Sequence, residues 1–410
     1  MFFFVVLFLL VMLDVYAFQG VRTLTAGMPM PWAATLRWGY WVVSLAPLLL
    51  VLLGRDFWAQ YPNARQTVSV VFSLYLGLLM AKLVFAIPHL MDDAVRLFQG
   101  FTGLYKSDQD AFLPGRRKFV SQLAIGMAAL PFTAFVYGIL KGKYDYKVHR
   151  HVVRIPGLPK AFEGFTITQI SDVHAGSFDS RSAVQRGLDM IADLNSDLLV
   201  FTGDMVNNRS DEFAPWVDAF AQLKAPFGKY SILGNHDYGD YYPWADETEQ
   251  ARDLQQLKNY HADAGFRLLL NEHVDIEKDG ERIALVGVEN WGKGFVKHGD
   301  LNKALQTAPA DSVKILLSHD PTHWEEHVKN HDTHIHLTLS GHTHGMQMGV
   351  EIPGFKWSPI KYRYAKWAGL YEENNRFLNI NRGFGFLGFS GRVGIWPEIT
   401  VLELVGEPVS

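Results

Sequence analysis

Residues 198–209 read LLVFTGDMVNNR. An apolar run suited to a buried strand stops abruptly at Gly203 and Asp204, and two asparagines follow. A carboxylate delivered at the tip of a buried strand is costly unless a positive partner meets it. Other apolar runs end the same way. ITQISDVHAGS (167–177) closes on Asp172 and His174, and YSILGNHDYG (230–239) on Asn235, His236 and Asp237. VKILLSHDP (313–321) closes on His319, and LTLSGHTHG (337–345) on His342 and His344. Five runs ending in carboxylates, an amide or imidazoles describe one site.

The chain has 410 residues, enough for roughly two or three domains at ~150 residues each. Its net charge of -4 offers no basic surplus, so no nucleic-acid partner is expected. There is no cysteine, which excludes disulfides, zinc–thiolate sites and cysteine nucleophiles.

The first third has a different texture. Residues 2–18, 38–53, 68–87 and 119–140 are apolar runs without a polar face at helical spacing. Crossing a bilayer takes about 20 such residues, range ~17 to 25, and the flanking Trp, Tyr and Arg suit the membrane interface. No basic residue precedes the first run, which argues against a cleaved signal peptide. An all-α, four-span, integral membrane region is therefore expected over residues 1–143, with a separate domain over 144–410. Asp14 and Lys82 lie within the runs. Lys82 is close to Pro88 and is expected to snorkel to the interface.

Basic residues near the spans are nearly balanced between the two sides, with Arg22, Arg37, Arg96, Lys106 and Arg116–Lys118 against Arg55, Arg65, Lys141, Lys143 and Lys147. Two features break the balance. No charge precedes the first span, and GRRKFVSQLAIGMAAL (115–130) is similar to a twin-arginine export signal. Both put the C-terminal domain on the extracytoplasmic side.

From Tyr146 onward, strand-like runs at 165–171, 198–202, 229–233, 267–270, 313–318 and 335–340 alternate with helical stretches at 180–197 and 244–266. Hairpins are predicted to turn at Asp279-Gly280 and Asn374-Asn375. This alternation predicts an α/β body with mixed sheets flanked by helices. Ligands of such sheets sit at the carboxyl ends of strands, where the polar residues cluster. Asp172 and His174, like His342 and His344, are two apart and point the same way in extended chain. Asp204 has two oxygens and is able to bridge two cations. Oxygen and imidazole donors without thiolate suit Mn, Fe, Zn or Ni. Two divalent cations would outweigh the charge of Asp172 and Asp204, and the surplus favours a bound phosphate and hydroxide. Two metals about 3.5–4 Å apart activate water and hold phosphoryl oxygens, which is the chemistry of phosphoester hydrolysis.

SDVH, TGDMVN, GNHD, LSHDP and SGHTHG, in this order, resemble the calcineurin-like metallophosphoesterases over about Lys147 to Leu404, with GNHDY similar to a membrane-linked phosphodiesterase branch. The resemblance implies a sandwich of two mixed β-sheets with helices outside. It implies Asp172, His174, Asp204 and His344 on one metal, and Asp204, Asn235, His319 and His342 on the second. It implies that His236 donates to the phosphoryl or leaving-group oxygen and that Asp237 orients His236. The branch pattern runs Gly-Gly-Gln after the last histidine, whereas here Gly345, Met346 and Gln347 follow, so the cleft wall is expected to differ. No ligand of the pattern is missing, which disfavours a dead sensor or scaffold.

Other stretches carry less. Phe355–Tyr371 mixes aromatic and basic residues and suits either a packed loop or lipid headgroups. The histidines at 323, 327, 331, 334 and 336 are expected to be ordinary polar residues. In GFGFLGFSGR (383–392), Phe384, Phe386, Leu387 and Phe389 are expected either as core residues or as an apolar lip by the cleft. The expected activity is a phosphodiesterase acting on a lipid or lipid-linked phosphoester. The alternative is a pyrophosphatase for a nucleotide-linked lipid of the UDP-diacylglucosamine type, which requires a cytoplasmic site.

Overall fold

The computed structural model describes residues 2–59, 62–102 and 114–407, so Lys106 of the charge balance lies outside the described residues. The chain forms two compact units, Met1–Leu140 and Lys141–Ser410.

The first unit is four helices, α1 (Phe2–Leu24), α2 (Met30–Ala59), α3 (Pro62–Phe101) and α4 (Pro114–Leu140). All four are long and apolar enough to cross a membrane. Each runs past its apolar core because an α-helix satisfies its own backbone and need not end where hydrocarbon ends. Phe8, Leu9, Trp38, Val42 and Leu130 are exposed, as lipid-facing residues must be. Lys82 corrects the expectation of snorkelling: it is buried and forms an ion pair with Asp14 between α3 and α1. The Tyr40 hydroxyl from α2 donates to the Asp14 carbonyl (2.8 Å) and carboxylate (3.2 Å). In hydrocarbon an ammonium so far inside the bundle is more stable paired than extended toward distant water. Arg116 and Arg117, the twin arginines, sit in α4 and pair with Asp92 (2.7 Å) and Asp93 (3.3 Å) of α3. Asp14→Ala is expected to lower the stability of the helical unit by about 3–5 kcal/mol, because it leaves Lys82 buried and unpaired. Combining it with Lys82→Met should restore most of the loss. Thermal unfolding in one detergent checks both, and equal melting of wild type and Asp14→Ala would contradict the pairing.

The second unit is built on two six-stranded sheets. The first has the order β1 (Lys147–Pro156), β14 (Glu398–Glu407), β2 (Phe165–Ile170), β3 (Leu198–Phe201), β4 (Lys229–Ser231), β5 (Arg267–Leu268). The second runs β12 (Gly369–Glu373), β13 (Arg376–Ile380), β9 (Leu337–Ser340), β8 (Lys314–Leu317), β7 (Glu281–Gly287), β6 (Glu272–Lys278). Both sheets are mixed. In the first, β2, β3 and β4 are parallel while β14 is antiparallel to β2; in the second, β7, β8, β9 and β13 are parallel neighbours. The two predicted hairpins form with Asp279-Gly280 and Asn374-Asn375 at their turns, all four residues at positive φ.

Alternation along the strands sorts the core into layers. Ile167, Leu198, Val200 and Ile232 of the first sheet meet Ile283, Leu285, Ile315, Leu317, Leu337 and Leu339 of the second. On the outer face of the first sheet, Ile170, Leu199 and Phe201 pack with α5 (Arg181–Asp193), α6 (Val217–Ala221) and α7 (Glu247–Asp263). On the outer face of the second, Val286, Leu316 and Leu378 pack with α8 (Leu301–Leu305) and α9 (Thr322–Glu326). β2, β3 and β4 are neighbours, and so are β8 and β9, so the loops at their carboxyl ends converge. A two-stranded sheet, β10 (Val350–Ile352) with β11 (Phe355–Trp357), stands outside both.

The stretch 383–392 settles as core. Phe384, Phe386 and Phe389 are buried, and Tyr146 stacks on Phe384 with ring centroids 4.5 Å apart. Of the two alternatives the core forms and the lip does not, because Tyr144, Tyr146 and Phe178 pack their rings against Phe384 and Phe386.

Candidate metal centre

Backbone conformation aims the strand-end side chains. Asp172, His174, Asp204, His342 and His344 all have φ between 46° and 70°, the left-handed region. Such residues turn the chain sharply at each strand end and persist only where surroundings over-determine them. Gly341 makes one approach possible: a Cβ there would lie 1.9 Å from Ser171 Oγ and 2.3 Å from Asp172 Oδ2. In its absence, the His342 N–H donates to both Asp172 oxygens at 3.0 Å.

The side chains fall into two clusters, Asp172–His174–His344 and Asp204–His319–His342. In the first, His174 Nε2 and His344 Nε2 face each other at 3.0 Å, and His344 Nε2 is 3.2 Å from Asp172 Oδ1. In the second, His342 Nδ1 lies 3.3 Å from His319 Nε2 and 2.8 Å from Asn235 Oδ1. Asp204 Oδ2 stands between them, 3.1 Å from His319 Nε2 and 3.6 Å from His174 Nε2.

Electrostatics show what this donor set favours. Burial raises the pKa of Asp172 and Asp204, but the imidazoles around them win and hold both below the usual carboxylate range. Burial opposes a charge on His319 too, yet Asp204 and Asp172 push its pKa up to about 10. Burial pushes His174 and His342 down. Both carboxylates thus favour positive charge at the centre of this donor set. Imidazole nitrogens facing each other at 3.0 Å share a proton or a cation. The residues therefore fit two divalent cations: Asp172, His174 and His344 would hold one and His319, His342 and Asn235 the other, with Asp204 able to reach both.

Hydrogen bonds fix which nitrogen each imidazole presents. His174 Nδ1 is 3.2 Å from the Val206 carbonyl and His319 Nδ1 is 2.7 Å from the Thr202 carbonyl, leaving Nε2 toward the cluster. His342 is turned the other way. Its Nε2 is 2.9 Å from the Tyr364 hydroxyl and 3.5 Å from Asp320 Oδ2, leaving Nδ1 inward. His344 Nδ1 lies 3.3 Å from Arg392, a fully buried guanidinium whose pKa burial lowers to about 10. Asp320, Tyr364 and Arg392 are missed by sequence reasoning. Asp320 follows His319 directly, and its place in the same strand-end loop was the available signal; the other two arrive from distant loops.

His236 is half-buried beside both clusters but in neither. Its backbone N–H donates to Asp204 Oδ1 (2.8 Å), and its Nδ1 pairs with the Asn207 carbonyl at 2.7 Å, which leaves Nε2 as the uncommitted ring nitrogen. Asp237 departs from the expectation that it orients this ring. Its carboxylate accepts backbone N–H groups of Gly234 (2.8 Å), Asp204 (2.9 Å), Met205 (2.7 Å) and Val206 (3.3 Å). It ties the loops after β3 and β4 together, because a buried carboxylate is best satisfied by several amide donors at once. At the departure from the branch pattern, Met346 has φ 54° and its side chain is exposed, while Gln347 is buried and donates to the Phe389 and Gly391 carbonyls. Of the histidines outside the clusters, His323 is buried against Ser318 Oγ (2.8 Å) and His336 accepts from the Lys314 N–H (3.1 Å), both as ordinary polar partners.

Gly341→Ala is expected to weaken metal binding by about 10–100-fold, the usual effect of disturbing the groups that support a ligand. Titration of the metal-free protein with Mn or Zn, followed by calorimetry, checks it. Unchanged affinity would mean that the Asp172 loop gives way freely.

The profile of the family described as "Calcineurin-like phosphoesterase" matches residues 165–346, and that described as "Probable Calcineurin-like phosphoesterase, transmembrane domain" matches residues 1–143. An uncharacterized metallophosphoesterase of Aquifex aeolicus is 30% identical over 268 residues, 64% of this chain and 94% of its own length. The uncharacterized metallophosphoesterase YkuE of Bacillus subtilis is 28% identical over 295 residues, 70% of this chain and 97% of its own. The UDP-2,3-diacylglucosamine pyrophosphatase LpxG of Chlamydia trachomatis is 26% identical over 338 residues, 70% of this chain and 99% of its own.

Proposed function

This chain belongs to the calcineurin-like phosphoesterases, as a membrane-held hydrolase of phosphoester bonds, and from that premise we propose that it cleaves a lipid-linked phosphodiester on the extracytoplasmic face. The observation that carries the reading is the pair of buried donor clusters with Asp204 between them. When bound, a divalent pair supplies Lewis acidity to the phosphoryl oxygens and a water acidic enough to ionise near neutral pH. The protein's own groups do the rest. His236, held through Nδ1 by the Asn207 carbonyl, offers Nε2 to the phosphoryl or departing oxygen. Tyr241, whose hydroxyl accepts from Asn235 at 3.0 Å, walls the cleft beside His236 at a ring separation of 4.7 Å. A cavity of ≈ 150 Å³ next to Asn235, lined by Tyr241, Phe295, Val296 and His298 among others, has room for a substituent of the phosphorus.

The membrane supports a lipid substrate. A site tethered at a bilayer meets headgroup phosphates at a far higher effective concentration than soluble ones, and four spans exceed what anchoring alone needs. The side rests on Arg116 and Arg117 ahead of the apolar part of α4, an arrangement similar to a twin-arginine export signal. A second reading is favoured by the relative named a UDP-2,3-diacylglucosamine pyrophosphatase: cleavage of a lipid-linked pyrophosphate, on the cytoplasmic side.

Two measurements separate them. The chain has no cysteine, so a single Cys replacing Ser410, which lies outside the described residues, reports topology cleanly. It should react with an impermeant thiol reagent in intact cells, and protection there would favour the pyrophosphatase. The purified full chain in mixed micelles should then hydrolyse a lipid phosphodiester faster than a water-soluble one. Equal rates would reduce the membrane to a tether.

A further inference from the structure

One group of exposed apolar side chains in the catalytic unit lies on the small hairpin outside both sheets, which follows His344 closely in sequence. Ile352 is 58% exposed, Phe355 54%, and Tyr362, in the turn that follows, 78%. Val350 and Met346 are exposed beside them in sequence, on the segment that continues directly from His344. A hairpin with such residues in water is an unstable arrangement unless something covers it. Met346 adds an independent sign. It holds left-handed backbone at φ 54°, where glycine is the unstrained choice, and spends the strain on an exposed apolar side chain.

Charge says what covers it. Lys361 and Arg363 are exposed on either side of Tyr362, and among the described residues neither forms an ion pair. The acidic neighbour, Glu351, is engaged by Arg382 at 2.6 Å. Exposed apolar residues, a tyrosine and unneutralised cations within one stretch of chain match the layered chemistry of an anionic bilayer surface: acyl chains, then interface, then headgroup phosphates. The chain's own four spans make it a membrane protein.

We propose that the β10–β11 hairpin, with Met346 and the 361–363 turn, inserts into the headgroup region of a lipid bilayer and sets the cleft against it. Tyr364, the next residue, is buried and reaches His342, so the 361–363 turn adjoins in sequence a residue that supports the site. The proposal needs no particular substrate, and its test reads position rather than turnover.

The full chain carrying a single cysteine at Ile352, Phe355 or Tyr362 is labelled with a polarity-sensitive fluorophore. It is reconstituted in phosphatidylcholine vesicles containing phosphatidylglycerol. Asp279→Cys, at the turn on the opposite end of β7, serves as the aqueous control. Emission at the three hairpin sites should shift to the blue, and spin-labelled lipids should quench it several-fold more than at 279. Iodide should quench it several-fold less. Equal iodide access at all four sites would overturn the proposal. So would a blue shift without quenching by lipid, which would identify a protein, a second copy included, as the cover. Three separate sites guard against one label disturbing the hairpin.

Discussion

Asp204→Asn should lose both metal and activity, with turnover down by about 10³-fold, near 4 kcal/mol of transition-state stabilisation. Asp204 is 1% exposed, and its Oδ2 lies within 3.6 Å of an imidazole from each cluster. Asparagine keeps the shape and is able to accept the His236 N–H, now made to Asp204 Oδ1 at 2.8 Å, so the loops should stay folded. What it removes is the charge shared by the two clusters. Elemental analysis of the purified variant should find less than the wild-type metal content, beside hydrolysis of a chromogenic phosphodiester. Full occupancy with a normal rate would remove the two-metal reading altogether.

His236→Asn should have an effect of another kind. Removing a group that donates to a phosphoryl or departing oxygen costs about 10²–10⁴ in rate. Metal content should remain at the wild-type level, because the ring belongs to neither cluster and is held by the Asn207 carbonyl. A variant stripped of metal would make His236 a ligand; one with full activity would make it a bystander. The contrast between the two substitutions, occupancy lost in one and kept in the other, separates holding the metals from using them.

Much of the site was legible before any coordinates. Apolar runs that stop at Asp172, Asp204, Asn235, His319 and His342 are local signals, and strands of a parallel sheet bring their carboxyl ends together whatever the details. Turn chemistry is as local, and Asp279-Gly280 and Asn374-Asn375 turn their hairpins as their preference for positive φ requires. The four spans follow from length and hydropathy alone. Helix termini were less legible, since the apolar runs measure hydrocarbon and not hydrogen bonding.

Tertiary structure alone decided the rest, and the reason is the same each time: the deciding partner is remote in sequence. Phe384, Phe386 and Phe389 read as core or as lip until Tyr146, more than two hundred residues earlier, stacks on Phe384. Lys82 has no visible partner until α1 brings Asp14 beside it. Asp237 adjoins His236 in sequence, yet four amides of two loops claim its carboxylate. β1 is unreadable as an edge strand until β14, from the far end of the chain, pairs with it in parallel. Sequence by itself determined which chemical groups stand at the strand ends, because that depends on neighbours along the chain. Which of those groups face one another, and which apolar surface stays open to a membrane, depends on what is packed against them.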